Sequence, residues 1–187
     1  MSFRFSSHKE LEGKHAFLGA SKYHWINYDL EKMEKIWTNQ FASERGTKLH
    51  NLAKMLIEMG IRMKDDGQTL NSYVNDAIRF RMTPEVVLKY SENCFGTADA
   101  ISFEKRVLRV HDLKTGVHPG SPHQLEVYAA LFCFEYDINP YDIEMLFAIY
   151  QGDEVFPYIG DPVRITAIQA KMKEFDVKIE KMKEVML

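Results

Sequence analysis

Downstream of Pro84 the chain gives up helical periodicity for three runs rich in β-branched and aromatic residues, 86–90, 94–103 and 107–114, with breaks only at 91–93 and 104–106. Runs of this length bounded by polar residues are strands. A loop at 116–122 and an apolar helix at 123–136 follow, then strands at 145–150 and 155–159 around a turn at Gly152-Asp153, then a charged helix from 161 to Leu187. Upstream of Pro84 the pattern is helical. Leu30, Met33, Ile36 and Trp37 share one face of a helix over 29–41. Ser43 caps a second helix running to Gly60, with Leu49, Leu52, Ala53, Leu56 and Ile57 turned inward. A turn at 64–68 leads to a third helix over 70–82. Ser21 can cap a short helix carrying Trp25 and Tyr28, and residues 1–20 read as irregular, anchored by Leu11, Phe17 and Leu18. Helices, three strands, a helix, two strands and a helix make an α/β (α+β) chain with a central mixed β-sheet flanked by helices. At 187 residues it reads as a single domain 1–187: a mainly helical N-terminal region over 1–84, a sheet core over 85–160 and a C-terminal helix over 161–187.

Composition narrows the function classes. The longest run free of charge and strong polarity, 127–134, is far short of the ~20 residues that span a bilayer. The N-terminus has no apolar run of a secretory signal, so a cytoplasmic protein is expected. Two cysteines, Cys94 and Cys133, are too few for a disulfide framework and read as buried free thiols. A net charge of −3 argues against coating nucleic acid by bulk positive charge, but leaves room for a local basic groove beside an acidic cation site.

The chemistry gathers between Gly96 and Tyr128. On a strand, Asp112 and Lys114 point to one face and Leu113 to the other. A hairpin turning at Glu104-Lys105 sets Asp99 opposite Val110 and diagonal to Asp112, on the same side of the sheet. Two carboxylates so placed at the edge of a core repel unless a cation lies between them, and Mg²⁺ or Mn²⁺ takes oxygen ligands. A one-residue slip would undo the pairing. His50 shares its helical face with Ala53 and Ile57 and so points to the interior; Glu44 lies off that face. Gln124 and Tyr128, four apart on one helix, are stacked side by side and suit phosphate oxygens. His111 has the wrong strand parity to join Asp112, and His118 and His123 lie in the neighbouring loop. Taken singly, each residue has an ordinary reading as a core histidine, a turn aspartate, a surface ion pair or packing; their order and spacing are what set them apart.

Gly46-Thr47…His50, Gly96…Asp99, Asp112-Leu113-Lys114-Thr115-Gly116 and Gln124…Tyr128 occur in that order over residues 43–130. This set resembles the RecB-like branch of the PD-(D/E)XK nuclease superfamily, and the opening 17–29 is similar to small stand-alone phage-encoded members. The resemblance implies a restriction-endonuclease-like core and a Mg²⁺- or Mn²⁺-dependent nuclease that hydrolyses DNA. His50, Asp99, Asp112 and the Leu113 backbone carbonyl would bind the metal, Lys114 would be the catalytic lysine, and Gln124 and Tyr128 would lie at the DNA. Relatives with an iron–sulfur cluster use four cysteines, which this chain lacks. The expected activity is an exonuclease on double-stranded ends or single strands, in recombination, repair or replication. A structure-selective or single-strand endonuclease, a non-catalytic DNA-binding or assembly module, and a hydrolase of small phosphoesters are the alternatives. No helicase motif is present, so a recombination or helicase partner would supply ends; a homo-oligomer fits the class, and a phage-encoded copy would work in the host cytoplasm.

Overall fold

The computed structural model describes residue 4 and residues 6–186, so the expectations at 1–3, 5 and 187 lie outside the described residues. The chain divides into two compact units, Met1–Arg45 and Gly46–Leu187.

In the first unit, two 3₁₀ segments, Lys9–Leu11 and Ala20–Asn27, lead into a long helix. The second starts after Gly19 without a side-chain cap, so Ser21 does not play the capping role expected of it. The Trp25 indole donates to the Gly19 carbonyl at 3.1 Å, and Phe17 meets Trp37 edge-on at 5.0 Å. Leu11 and Leu18, expected as anchors, are exposed. Helix α1 runs unbroken over Leu30–Glu58, where the sequence pattern predicts a break and a cap at Ser43. Asp29 caps it, its carboxylate accepting from the Lys32 amide at 2.7 Å. Residues 42–45 contain neither glycine nor proline, and Gly46 alone costs only ~1 kcal/mol in a helix interior. The helix ends where Gly60, at φ +67, lets the Ile61 amide reach back to the Leu56 carbonyl.

The second unit is built on a five-stranded sheet in the order β1-β2-β3-β4-β5: Thr83–Ser91, Cys94–Glu104, Val107–Leu113, Glu144–Gln151 and Glu154–Ile159. All neighbours are antiparallel except β3 and β4, which are parallel and joined through helix α3, Pro122–Glu135. Helix α2, Thr69–Arg79, and the second half of α1 cover one face around Ala53, Ile57, Tyr73, Leu113 and Tyr150. Helices α3 and α4 (Pro162–Met186) cover the other around Leu108, Val110, Leu125 and Ile165. The apolar stripe of α4 docks through Ile168 and Met172, while Phe175, Ile179 and Met182 stay exposed. Cys133 is buried and Cys94 half-buried, both as free thiols. Among the described residues no helix is long and apolar enough to cross a membrane.

The β2–β3 register differs from the expected one by two residues. Ile101, not Asp99, pairs with Val110, because the turn is Lys105-Arg106 rather than Glu104-Lys105. Both turn residues have positive φ, 51° and 63°, as a two-residue type I′ connection requires. A Lys-Arg pair carries none of the Asn-Gly signal that announces such a turn. An even shift keeps the paired residues 100–104 and 107–111 on their expected faces.

Helix α2 has no cap of its own at Gln68. Instead Asp153, in the β4–β5 turn, accepts from the Thr69 amide at 2.8 Å and from its hydroxyl at 3.0 Å. Asp153→Gly keeps a residue at ease at φ +61 while removing the cap. The variant is expected to lose about 1 kcal/mol of stability in urea unfolding; unchanged stability would show that the clasp is ornamental.

Candidate metal centre

The site lies where β1, β2 and β3 approach α1 from one side and α3 from the other. Gly46 brings α1 close: a Cβ there would come within 2.8 Å of the Thr115 hydroxyl, just beyond the end of β3. One turn on, the half-buried His50 sets Nδ1 3.5 Å from Asp99 Oδ1 and 3.9 Å from Glu85 Oε1. His50, Glu85 and Asp99 each offer one ligand atom, and these lie within 4.8 Å of one another.

Two backbone irregularities aim the carboxylates. Glu85, after Pro84, sits inside β1 at φ +53, a strained conformation for a residue with a side chain. Across from it, the alternation of β2 slips at Asp99: Ala98 and Ile101 both pack under α3, whereas Ala100 packs with α1 and α2. One strand re-aims its glutamate and the next its aspartate, as irregularities beside functional sites do. The β2–β3 pairing runs to Ala100↔His111, the residues next to Asp99 and Asp112. The second Asp99 oxygen is fixed by the Leu113 amide at 2.8 Å.

Asp112 is 2% exposed. The Lys114 ammonium lies 2.9 Å from each of its oxygens but donates a hydrogen bond to Oδ1 alone. Oδ2 is buried and accepts none. The same ammonium donates to Gln124 Oε1 at 2.9 Å, and Gln124 Nε2 donates to the Tyr128 hydroxyl at 3.0 Å. Tyr128 is buried and fits because residue 96 is glycine; a Cβ there would stand 3.1 Å from its ring. Asp112, Lys114, Gln124 and Tyr128 thus form one hydrogen-bonded row along β3 and α3. Gln124, read from sequence with Tyr128 as a phosphate contact, also accepts from the lysine, and Tyr128 is bonded to Gln124.

Burial is the main influence on the site's carboxyl groups. Burial raises the Asp112 carboxyl above its ordinary range despite Lys114, and the Asp99 charge adds to the rise. Burial, then Asp99, raises Glu85 likewise. His50 is raised chiefly by its hydrogen bond to Asp99, and a hydrogen bond with the Leu113 backbone acts the same way. His50, Glu85 and Asp99 are the donors that could hold a divalent cation, which would offset the crowding of the two carboxylates. Carboxylate oxygens suit Mg²⁺ or Mn²⁺, and an imidazole nitrogen beside them favours Mn²⁺ of the two.

Three raised groups fix a sign. Each favours the folded, metal-free chain below its ordinary value (3.8 for Asp112, 4.5 for Glu85, 6.5 for His50), and that contribution is lost as pH rises through the raised values. A cation displaces those protons. The rise in Tm on adding Mn²⁺ should therefore be larger at about pH 7.5 than at about pH 5.5. A larger rise at the acid end would contradict the site.

Glu85 escapes a reading of the sequence that begins the strand at 86. Its only signal is an acidic residue at the head of the apolar run 86–88, directly after a proline. His111 lies on the opposite face, as its parity predicts, with Nδ1 3.1 Å from the Tyr150 hydroxyl, which donates to Asp76. Burial pushes His111 down to about 4. His123 is tied to Glu126 and Arg164. No family model, curated protein or solved structure matches the chain.

Proposed function

We propose that the chain is a Mg²⁺- or Mn²⁺-dependent nuclease that hydrolyses DNA phosphodiesters, acting as an exonuclease at DNA ends on a restriction-endonuclease-like core of the RecB-like kind. The observation that carries this reading is the buried Asp112 carboxylate, one oxygen bonded to Lys114 and the other lacking any hydrogen bond, beside the His50, Glu85 and Asp99 donors. The ammonium lies beside both oxygens but bonds only one, which leaves Oδ2 able to take a further positive partner.

His50, Glu85, Asp99 and Asp112 would hold the cation, with the Leu113 carbonyl beside them. When bound, a divalent ion supplies positive charge against the phosphate and lowers the pKa of a water molecule. The rest falls to this chain's own side chains. Lys114, fixed between Asp112 and Gln124, holds its ammonium where it orients the attacking water and counters charge building on the phosphate oxygens. The water's oxygen bonds to phosphorus as the bond to the leaving sugar oxygen breaks. Gln124 acts through Lys114, and Tyr128 through Gln124, as positioning residues.

The test uses end-labelled linear DNA and closed circular DNA with Mg²⁺, Mn²⁺ or EDTA. Degradation of linear DNA with either metal, its loss in EDTA and sparing of circles are expected. Inertness toward all DNA in both metals would overturn the reading, and cutting of circles as fast as linear DNA would replace the exonuclease by an endonuclease.

A further inference from the structure

On the face of the sheet opposite Asp112, strands β3, β4 and β5 leave a cavity of about 430 Å³ beside the last turn of α2. Phe80, Leu146, Val155 and Pro157 make its wall apolar. Volume and lining match small-molecule sites, which run to roughly 300–1,000 Å³ and carry a few placed polar groups. Two polar side chains here are short of partners. His111 lines the cavity and is 5% exposed. Its Nδ1 lies 3.1 Å from the Tyr150 hydroxyl, which donates to Asp76 Oδ2 at 2.8 Å. The hydroxyl has one hydrogen and a carboxylate can only accept, so the bond to His111 takes its proton from Nδ1. The tautomer is thereby fixed, and Nε2 opens onto the cavity as an acceptor with no hydrogen-bond partner among the described residues. Two residues back on β3, Arg109 faces the same way. Its guanidinium lies over the Phe80 ring at 5.0 Å and has no hydrogen bond or ion pair among the described residues.

A ligand that completes these groups needs an N–H for Nε2, a flat apolar body for the wall and an anion for Arg109. The guanidinium fork matches the geometry of phosphate. Asp76, at the Tyr150 end, repels an anion from the inner part of the cavity and so sets the orientation. A nucleotide has all three parts, since every nucleobase carries an N–H. We propose that the cavity binds a nucleoside 5′-monophosphate, with its base against the apolar wall, an N–H of the base donating to His111 and the phosphate on Arg109. The site stands apart from the metal centre, and the inference goes beyond the nuclease reading without depending on it.

Calorimetric titration of the full chain in EDTA tests it, because neither metal nor cleavage then intervenes. The probes are the four deoxynucleoside 5′-monophosphates, deoxyribose 5-phosphate, which lacks a base, and 4-hydroxybenzoate, an aromatic anion that is no nucleotide. At least one nucleotide should bind roughly tenfold or more tightly than either of the other two probes. Arg109→Met, which keeps the packing on Phe80, should weaken that nucleotide roughly tenfold or more, as the loss of a charge-assisted hydrogen bond does. His111→Asn keeps a donor for Tyr150 and removes Nε2. Checked for folding by its unfolding transition, it should weaken the same nucleotide and leave deoxyribose 5-phosphate unchanged. No binding of any nucleotide at millimolar concentration overturns the proposal. So does equal binding of deoxyribose 5-phosphate or 4-hydroxybenzoate, or unchanged affinity in Arg109→Met. DNA cleavage plays no part in these titrations, so their failure and the failure of the nuclease reading are separate results.

Discussion

Asp112→Asn is expected to slow DNA cleavage roughly a thousandfold while leaving the metal-free protein more stable, by about 1 kcal/mol near neutral pH. The two effects share a cause. Asp112 is buried and its carboxyl is pushed upward by that burial and by Asp99, with one oxygen lacking a hydrogen bond. Asparagine has the same shape and can still accept from Lys114, but it carries no charge to desolvate and none to repel Asp99. It is also a poor ligand for a hard cation. Added Mn²⁺ should thus no longer raise the Tm of the variant. Cleavage rates and paired thermal scans with and without Mn²⁺ read all three outcomes. Slow cleavage together with a large fall in metal-free stability would mean that Asp112 is a structural anchor.

Lys114→Met has the second largest expected effect and a different signature. Cleavage should drop about a hundred- to ten-thousandfold, the range for a positioned proton-handling or charge-stabilising group. Metal binding should survive, because none of the four proposed ligands is touched. The metal-free protein should lose about 1–3 kcal/mol, since Asp112 is left buried without its ion pair. The sign of the pH dependence follows. Removing the ammonium drives the Asp112 carboxyl still higher, so the deficit shrinks as pH falls and the carboxyl protonates, and is full at neutral pH. Calorimetric titration with Mn²⁺ separates this variant from Asp112→Asn, and abolished metal binding in Lys114→Met would contradict the assigned roles.

The sequence carries the strand series downstream of Pro84 well, because short apolar runs with close breaks leave little freedom in pairing. It carries the face of Asp112 too, since alternation along β3 survives an even error in register, whereas the slip of β2 at Asp99 is not written in the pattern. The register itself is out of reach: nothing in Lys105-Arg106 announces two positive φ values. The unbroken α1 is hidden because Ser43 looks like a cap wherever it stands, and only packing decides whether a helix runs through it. Glu85 is invisible for a related reason. Its place in the site depends on a strained backbone after Pro84, and strain of that kind is a property of the fold. Gln124 and Tyr128 are paired correctly by their spacing along one helix, and the folded chain adds that Gln124 also accepts from Lys114.

The central claim is that an imidazole and three carboxylates drawn from α1, β1, β2 and β3 share one cation. Crystals soaked in Mn²⁺ and measured near the manganese absorption edge test it directly. One anomalous peak is predicted within bonding distance of His50, Glu85, Asp99 and Asp112. A peak elsewhere on the molecule, or none at saturating Mn²⁺, would contradict it.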